Sequence, residues 1–255
     1  MIMFNKMLSS IGIGNTKIDA QLDKQSYMAG ETVRGKILVT GGKVEQEVDQ
    51  IYLSVNTKYL KESDDKRFNV NVIMDKFKIA ESFTIQPGES KEIPFSFILS
   101  PQTPLTIRDK NVWIDTGLDI KKAVDPGDID YIQVNPSQLV NAVLKAVDSL
   151  GFKLIEVESK EVHRSFGKLP FVQEFEFKPR SGQYKGLLDE IELIFLPSED
   201  QVEILMQIDR KARGLSGLFA EAMDQDESYV RFTVTNSDSP TVQKTIQEIV
   251  NQNIH

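Results

Sequence analysis

Thr32-Val-Arg-Gly-Lys-Ile-Leu-Val39 and Ile51-Tyr-Leu-Ser-Val-Asn-Thr-Lys-Tyr59 decide the fold class. In the first stretch Val33, Gly35, Ile37 and Val39 fall on one side, with Thr32, Arg34 and Lys36 opposite. In the second, Ile51, Leu53, Val55, Thr57 and Tyr59 alternate with Ser54, Asn56 and Lys58. A period of two marks a β-strand with one buried face, because successive strand side chains point to opposite sides. Phe68, Val70, Val72 and Met74 repeat the pattern, and the apolar phase then switches to Phe77 and Ile79. Such a switch predicts a β-bulge or a strand passing between sheets. Ile93, Phe95, Phe97 and Leu99 predict another strand, as do Val112, Ile114, Leu118 and Ile120.

Turn chemistry punctuates these strands at Met28-Ala-Gly-Glu31, Gly41-Gly42, Pro87-Gly88 and Pro101-Gln-Thr-Pro104. Many strands without an intervening helix predict an antiparallel β-sandwich. The pattern changes near Asp125-Pro-Gly-Asp-Ile-Asp130. Leu139, Val140, Val143, Leu144, Val147 and Leu150 then form a helical stripe, with Pro136 suited to its first turn and Gly151 to its end. Strand patterns return around Phe171–Phe177, Ile191–Phe195, Val202–Ile208 and Val230–Val234, and a helix closes the chain after Ser239-Pro240. The expectation is a mainly β chain in two domains. Residues 1–130 form an antiparallel sandwich, and residues 131–255 form an antiparallel β domain with helices near 137–150 and 240–253.

Composition limits the chemistry. The 255 residues contain no cysteine, which removes disulfides, thiolate nucleophiles and Cys-ligated metals. A net charge of −8 argues against duplex nucleic acid as a partner. The start, Met1-Ile-Met-Phe-Asn-Lys-Met-Leu8, lacks a cationic region before its apolar residues and is not a signal peptide. Ile2, Met3, Phe4, Met7, Leu8 and Ile11 fit a short amphipathic helix that packs on its own protein, with one lysine too few for a lipid-facing surface. No run reaches the roughly 18 apolar residues of a membrane span.

Motif by motif, catalytic readings fail. Gly30-Glu-Thr-Val-Arg-Gly-Lys-Ile37 matches a phosphate loop except for the Ser or Thr that would hold Mg²⁺, and it alternates as a strand. Gly12-Ile-Gly14 lacks the third glycine of a dinucleotide fingerprint. Gly214-Leu-Ser-Gly217 is followed by Leu218 where a nucleophile elbow needs glycine. His163 lies in a polar connection and His255 ends the sequence, so no histidine stands where a base is needed. Asp125, Asp128 and Asp130 miss the spacing of a calcium loop and read as a turn. Glu174 and Glu176, alternating with Phe175 and Phe177, read as a solvated strand face, and Trp113 as packing between sheets or domains. Catalytic, cofactor-binding and metal-binding residues are therefore assigned to none, and the chain is read as a non-enzyme.

One stretch reads as a docking patch. Arg210, Lys211 and Arg213 follow an apolar strand and precede Leu218 and Phe219, a mixture of cations and apolar surface common at interfaces.

Several stretches resemble the bacterial sporulation-control family, the stage-zero sporulation protein M family. They are Ser10-Ile-Gly-Ile-Gly-Asn-Thr-Lys-Ile-Asp19, Tyr27-Met-Ala-Gly-Glu-Thr-Val-Arg-Gly-Lys36, Ile93-Pro-Phe-Ser-Phe97 and Val112-Trp-Ile-Asp-Thr-Gly-Leu-Asp-Ile120. The second half adds Leu150-Gly-Phe-Lys153, Pro170-Phe-Val-Gln-Glu-Phe-Glu-Phe177 and Asp209-Arg-Lys-Ala-Arg-Gly-Leu215. The resemblance implies an arrestin-like tandem acting as a cytoplasmic adaptor or regulator, in sporulation or a related stress or developmental pathway. It implies protein partners, no cofactor and no catalytic residues, and it allows a homodimer. A self-assembling scaffold, or an enzyme with a carboxylate-based site, is the alternative.

Overall fold

The structure is a computed structural model that describes residues 16–63, 66–120, 126–162, 169–198, 200–209 and 230–253. It resolves into two compact units. The first comprises residues 1–57 and 72–135, the second residues 58–71 and 136–255.

Among the described residues, ten strands precede residue 136: β1 (Lys17–Leu22), β2 (Ser26–Met28), β3 (Thr32–Thr40), β4 (Gln46–Ser63), β5 (Lys66–Ala80), β6 (Phe83–Ile85), β7 (Ser90–Ile98), β8 (Val112–Ile120), β9 (Gly127–Tyr131) and β10 (Gln133–Asn135). In the first unit one antiparallel sheet runs β1-β3-β7. A second is built on β4, with β8 and then β9 on one flank and β5 and β6 also paired to β4. The stretch around residues 125–130, where the sequence pattern changes, contributes β9 to this unit.

Alternation dictates what each strand buries. Ile51, Leu53 and Val55 of β4 face Leu118, Thr116 and Ile114 of β8, and all six are excluded from solvent. The five aliphatic ones join Val33, Ile37 and Val39 of β3 in one core. Each such aliphatic side chain contributes about 1.5–3 kcal/mol of burial. The other face of β4 is set by the same register. Tyr52 lies opposite Gly117, where a Cβ would come within 2.0 Å of the Tyr52 ring, and Lys76 Nζ sits 3.9 Å from that ring's centroid.

The phase switch expected after Met74 falls inside the single continuous strand β5. Burial alternates through Val70, Val72 and Met74, then shifts by one residue to Phe77 and Ile79. Met74, Phe77 and Ile79 all pack on the same core, so the phase shift does not carry the strand to another core.

The second unit holds helix α1 (Gln138–Ser149), β11 (Phe152–Glu161), β12 (Phe171–Pro179), β13 (Glu190–Pro197), β14 (Gln201–Asp209), β15 (Val230–Thr235) and helix α2 (Val242–Gln252). Its strands form an antiparallel sheet in the order β15-β14-β13-β12-β11, with α1 against β11 and α2. Ser137 caps α1 by accepting from Val140 N, so Pro136 precedes the cap and is not in the first turn. Tyr184 anchors α2, its hydroxyl donating to Asn251 Oδ1 at 3.0 Å. The mainly β architecture with helices at both ends of the second half is as the sequence pattern implies.

Residues 58–71, the distal part of β4 and β5, are integral to this second unit. Tyr59 stacks on Phe171 at 5.5 Å, Lys61 Nζ lies 2.5 Å from Glu161 Oε1, and Leu60 bridges Lys160 in parallel. Tyr59→Ala is therefore expected to cost about 3 kcal/mol. By hydrogen exchange the loss of protection falls on β11 and β12 and spares β1 and β3. A second test concerns Gly151, whose φ is +92° and where a Cβ would lie 2.2 Å from Ser181 O. Gly151→Ala is expected to cost at least about 1–2 kcal/mol, seen as a lower urea midpoint at unchanged slope.

Candidate functional site

The predicted docking residues Arg210, Lys211, Arg213, Leu218 and Phe219 lie outside the described residues, as do His163, Asp125, the Gly12 and Gly214 motifs and the amphipathic start. The remaining sequence candidates have definite places. Gly30 occupies the turn between β2 and β3 at a φ of +86°, and Thr32 to Lys36 belong to β3, so the phosphate-loop-like stretch is a turn and a strand.

Asp128 and Asp130 lie on β9. Asp128 accepts from Ala20 N of β1 at 2.9 Å and from Ile129 N at 3.0 Å, and thereby ties β1 to β9. Burial, followed by the charges of Asp128 and Asp19, pushes the Asp130 carboxyl up to about 6. Among the described residues no group of three or more carboxylates or histidines is arranged to hold a metal.

Two expectations are corrected. Glu174 lies on a buried face and not a solvated one, being only 5% exposed. Trp113 does not pack between the sheets. It is half-buried on the outward face, 6.0 Å from its cross-strand partner Tyr131.

The first unit has two seams between its sheets, and they differ. At the β1/β9 seam the Asp128 carboxylate bridges backbone to backbone, as above. At the β5/β7 seam the contacts are aromatic: Phe77 of β5 stacks on Phe97 of β7 at 4.5 Å, and beside it Lys91 Nζ of β7 caps the ring of Phe83 of β6 at 3.9 Å. Met74, Phe77, Ile79, Phe83 and Ile93 point at the core along this seam and remain only partly buried. Core-facing residues of β4, with a strand on either flank, are closed off completely.

The difference follows from strand order. Among the described residues β5 pairs only with β4, and β7 only with β3. Each therefore presents an edge whose outward N–H and C=O groups have no ladder partner among the described residues. β7 is protected in the manner usual for edges: Pro94 removes a donor, and Lys36 pairs with Glu92 across its outer face. β5 has fifteen residues and no proline, and Ile73 on its outer face is 58% exposed. Its charged residues in the first unit are Asp75, Lys76 and Lys78. An unblocked edge beside half-buried apolar side chains can accept an extended segment as an additional strand. Edge status comes from topology and has no signature in local sequence; the length of the alternating run and its lack of proline are the only local signals.

The comparisons with known proteins agree with this architecture along almost the whole chain. The family model described as SpoOM protein matches residues 4–212. The sporulation-control protein spo0M of Bacillus subtilis (strain 168) is 40% identical over 255 residues, covering 99% of both chains. The crystal structure of Spo0M, sporulation control protein, from Bacillus subtilis superposes with a TM-score of 0.86 at 39% identity, covering 94% of this chain and 99% of that one. Family model, full-length identity and superposed fold place this chain in the SpoOM protein family.

Proposed function

We propose that this chain is a cytoplasmic regulator of sporulation, or of a related stress or developmental programme, that acts by binding other proteins and not by catalysis. The regulatory part rests on kinship with a protein named for sporulation control. The cytoplasmic placement is supported by the lack of cysteine, and no helix among the described residues is long and apolar enough to cross a membrane. The binding mode rests on one observation, the first-unit edge of β5 at residues 72–80, unpaired on its outer side among the described residues, beside a partly open apolar seam.

In this mode a partner segment lies along β5 and takes up its outward backbone groups. Side chains at alternate positions of the incoming strand cover Met74, Phe77 and Ile79 on one side and Ile73 on the other. Backbone pairing supplies much of the affinity, which accounts for a binding surface with no conspicuous chemical motif. The cationic stretch Arg210, Lys211 and Arg213 with Leu218 and Phe219 is proposed as a second, separate contact. A homodimer or scaffold formed through the same β5 edge is the second reading, favoured by the exposure of Ile73.

Ile73→Lys places an edge-protecting charge at an exposed position, so it changes stability little. It is expected to weaken partner binding at least about tenfold, or about 1.4 kcal/mol. The partner captured by the unaltered protein is expected to protect amides of Val72–Ala80 from hydrogen exchange. Unchanged binding together with unprotected β5 amides would exclude the edge. A concentration-dependent dimer that Ile73→Lys converts to monomer would favour self-association. Loss of binding only in the Arg210/Lys211/Arg213→Glu variant would move the site to that stretch.

A further inference from the structure

The second unit contains a charge arrangement that the partner-binding reading does not use. Strand register sets acidic side chains side by side: Glu158 of β11 is the cross-strand partner of Glu174 of β12, and Glu176 of β12 is the partner of Glu192 of β13. Like charges directly opposed on neighbouring strands repel. Here the repulsion is not relieved by water, since Glu174, Glu190 and Glu192 are 5%, 3% and 8% exposed.

Two lysines stand among these carboxylates, and each is divided between two of them. Lys160 Nζ lies 2.5 Å from Glu174 Oε1 and 3.8 Å from Glu158 Oε2. Lys178 Nζ lies 3.1 Å from Glu176 Oε1 and 3.4 Å from Glu190 Oε2. No cation among the described residues is within ion-pair distance of Glu192, and Glu174 Oε2 is buried without a hydrogen-bond partner. From the flanking strand β14, Gln207 is in register with Glu192 and Asp209 with Glu190, so that side adds no cation at these positions.

A buried group of carboxylates that outnumbers its cations lowers its energy by taking up protons. We propose that this ladder is a proton-binding element of the fold: protons shared among the buried carboxyls of Glu174, Glu190 and Glu192 hold β12 against β13, and losing them weakens that packing. The electrostatics agree. Burial, then the Glu174 charge, pushes the Glu192 carboxyl up to about 8, against a smaller opposing effect of Lys160. Burial likewise raises Glu174 despite its ion pair with Lys160, and burial with the Glu176 contact raises Glu190 despite Lys178. Burial opposes the charge on Lys160, yet the acidic neighbours outweigh it and hold its pKa above the usual lysine value.

The sign of the pH effect follows. A carboxyl whose folded pKa is raised binds more protons folded than unfolded between the two values. Its contribution is complete below the ordinary glutamate pKa, declines as pH rises through the neutral range, and is gone above about 8. The second unit should therefore loosen on mild alkalinisation.

The test uses the intact chain with ¹³C-labelled glutamate carboxyls. At least one carboxyl resonance is expected to titrate near pH 8 and to be absent in Glu192→Gln. The thermal midpoint is expected to fall by on the order of 5 °C between pH 6 and 8.5. Glu192→Gln should remove most of that fall, while the exposed control Glu248→Gln keeps it. Hydrogen exchange, corrected for intrinsic rates, should accelerate at pH 8.5 in Phe171–Pro179 and Glu190–Pro197 of the unaltered protein. The proposal is overturned if every glutamate carboxyl titrates below pH 6, or if Glu192→Gln leaves the pH dependence of the midpoint unchanged.

Discussion

The pairing of β4 with β8 is the constraint on which the first unit depends. Strand side chains alternate with a period of two, so slipping one strand of this pair by one residue would turn out to solvent either Ile51, Leu53 and Val55 of β4 or Ile114 and Leu118 of β8. Repulsion as well as attraction holds the register. Gly117 is the residue that leaves room for the Tyr52 ring, and any neighbouring residue of β8 in its place would put a Cβ into that ring. With β4 fixed, β5 and β6 take its other flank, the sandwich closes over β3, and Met74, Phe77 and Ile79 are set along one seam.

That closure is asymmetric. The β1/β9 seam is held by a carboxylate bonded to backbone amides, a directional contact that fixes two strands. The β5/β7 seam is held by stacked rings, which give less directional cohesion and leave apolar surface at the rim. A binding function located at the second seam thus needs no dedicated cleft. It uses what a sandwich with an unpaired, proline-free edge presents by construction. The second unit depends on a different balance: its helices and aromatic side chains supply the core, whereas the acidic ladder opposes the sheet unless protons are bound.

Much of the fold was legible in the sequence. The period of two placed the strands around Ile37, Val55, Phe95 and Ile114, and Gly151 marked the end of α1 through its positive φ. What was not legible depends on strand order. Glu174 and Glu176 have the local pattern of a solvated face, and the burial of Glu174 follows from its place on an inner strand, between β11 and β13. Tyr59 continues the alternating run that begins at Ile51, yet it stacks on a phenylalanine more than a hundred residues away. The openness of β5 is likewise a property of what pairs beside it. No residue within the strand encodes that, and the cationic stretch singled out by composition lies outside the described residues.

The claim that β5 is an open edge is tested most directly by residue-resolved amide exchange on the free protein. The account predicts a period of two along Val72–Ala80. Amides directed at β4 should be protected, and their immediate neighbours should exchange close to the unprotected rate, with a one-residue break in phase near Asp75. Uniform protection along the strand would show that its outer edge is already covered, and would contradict the account.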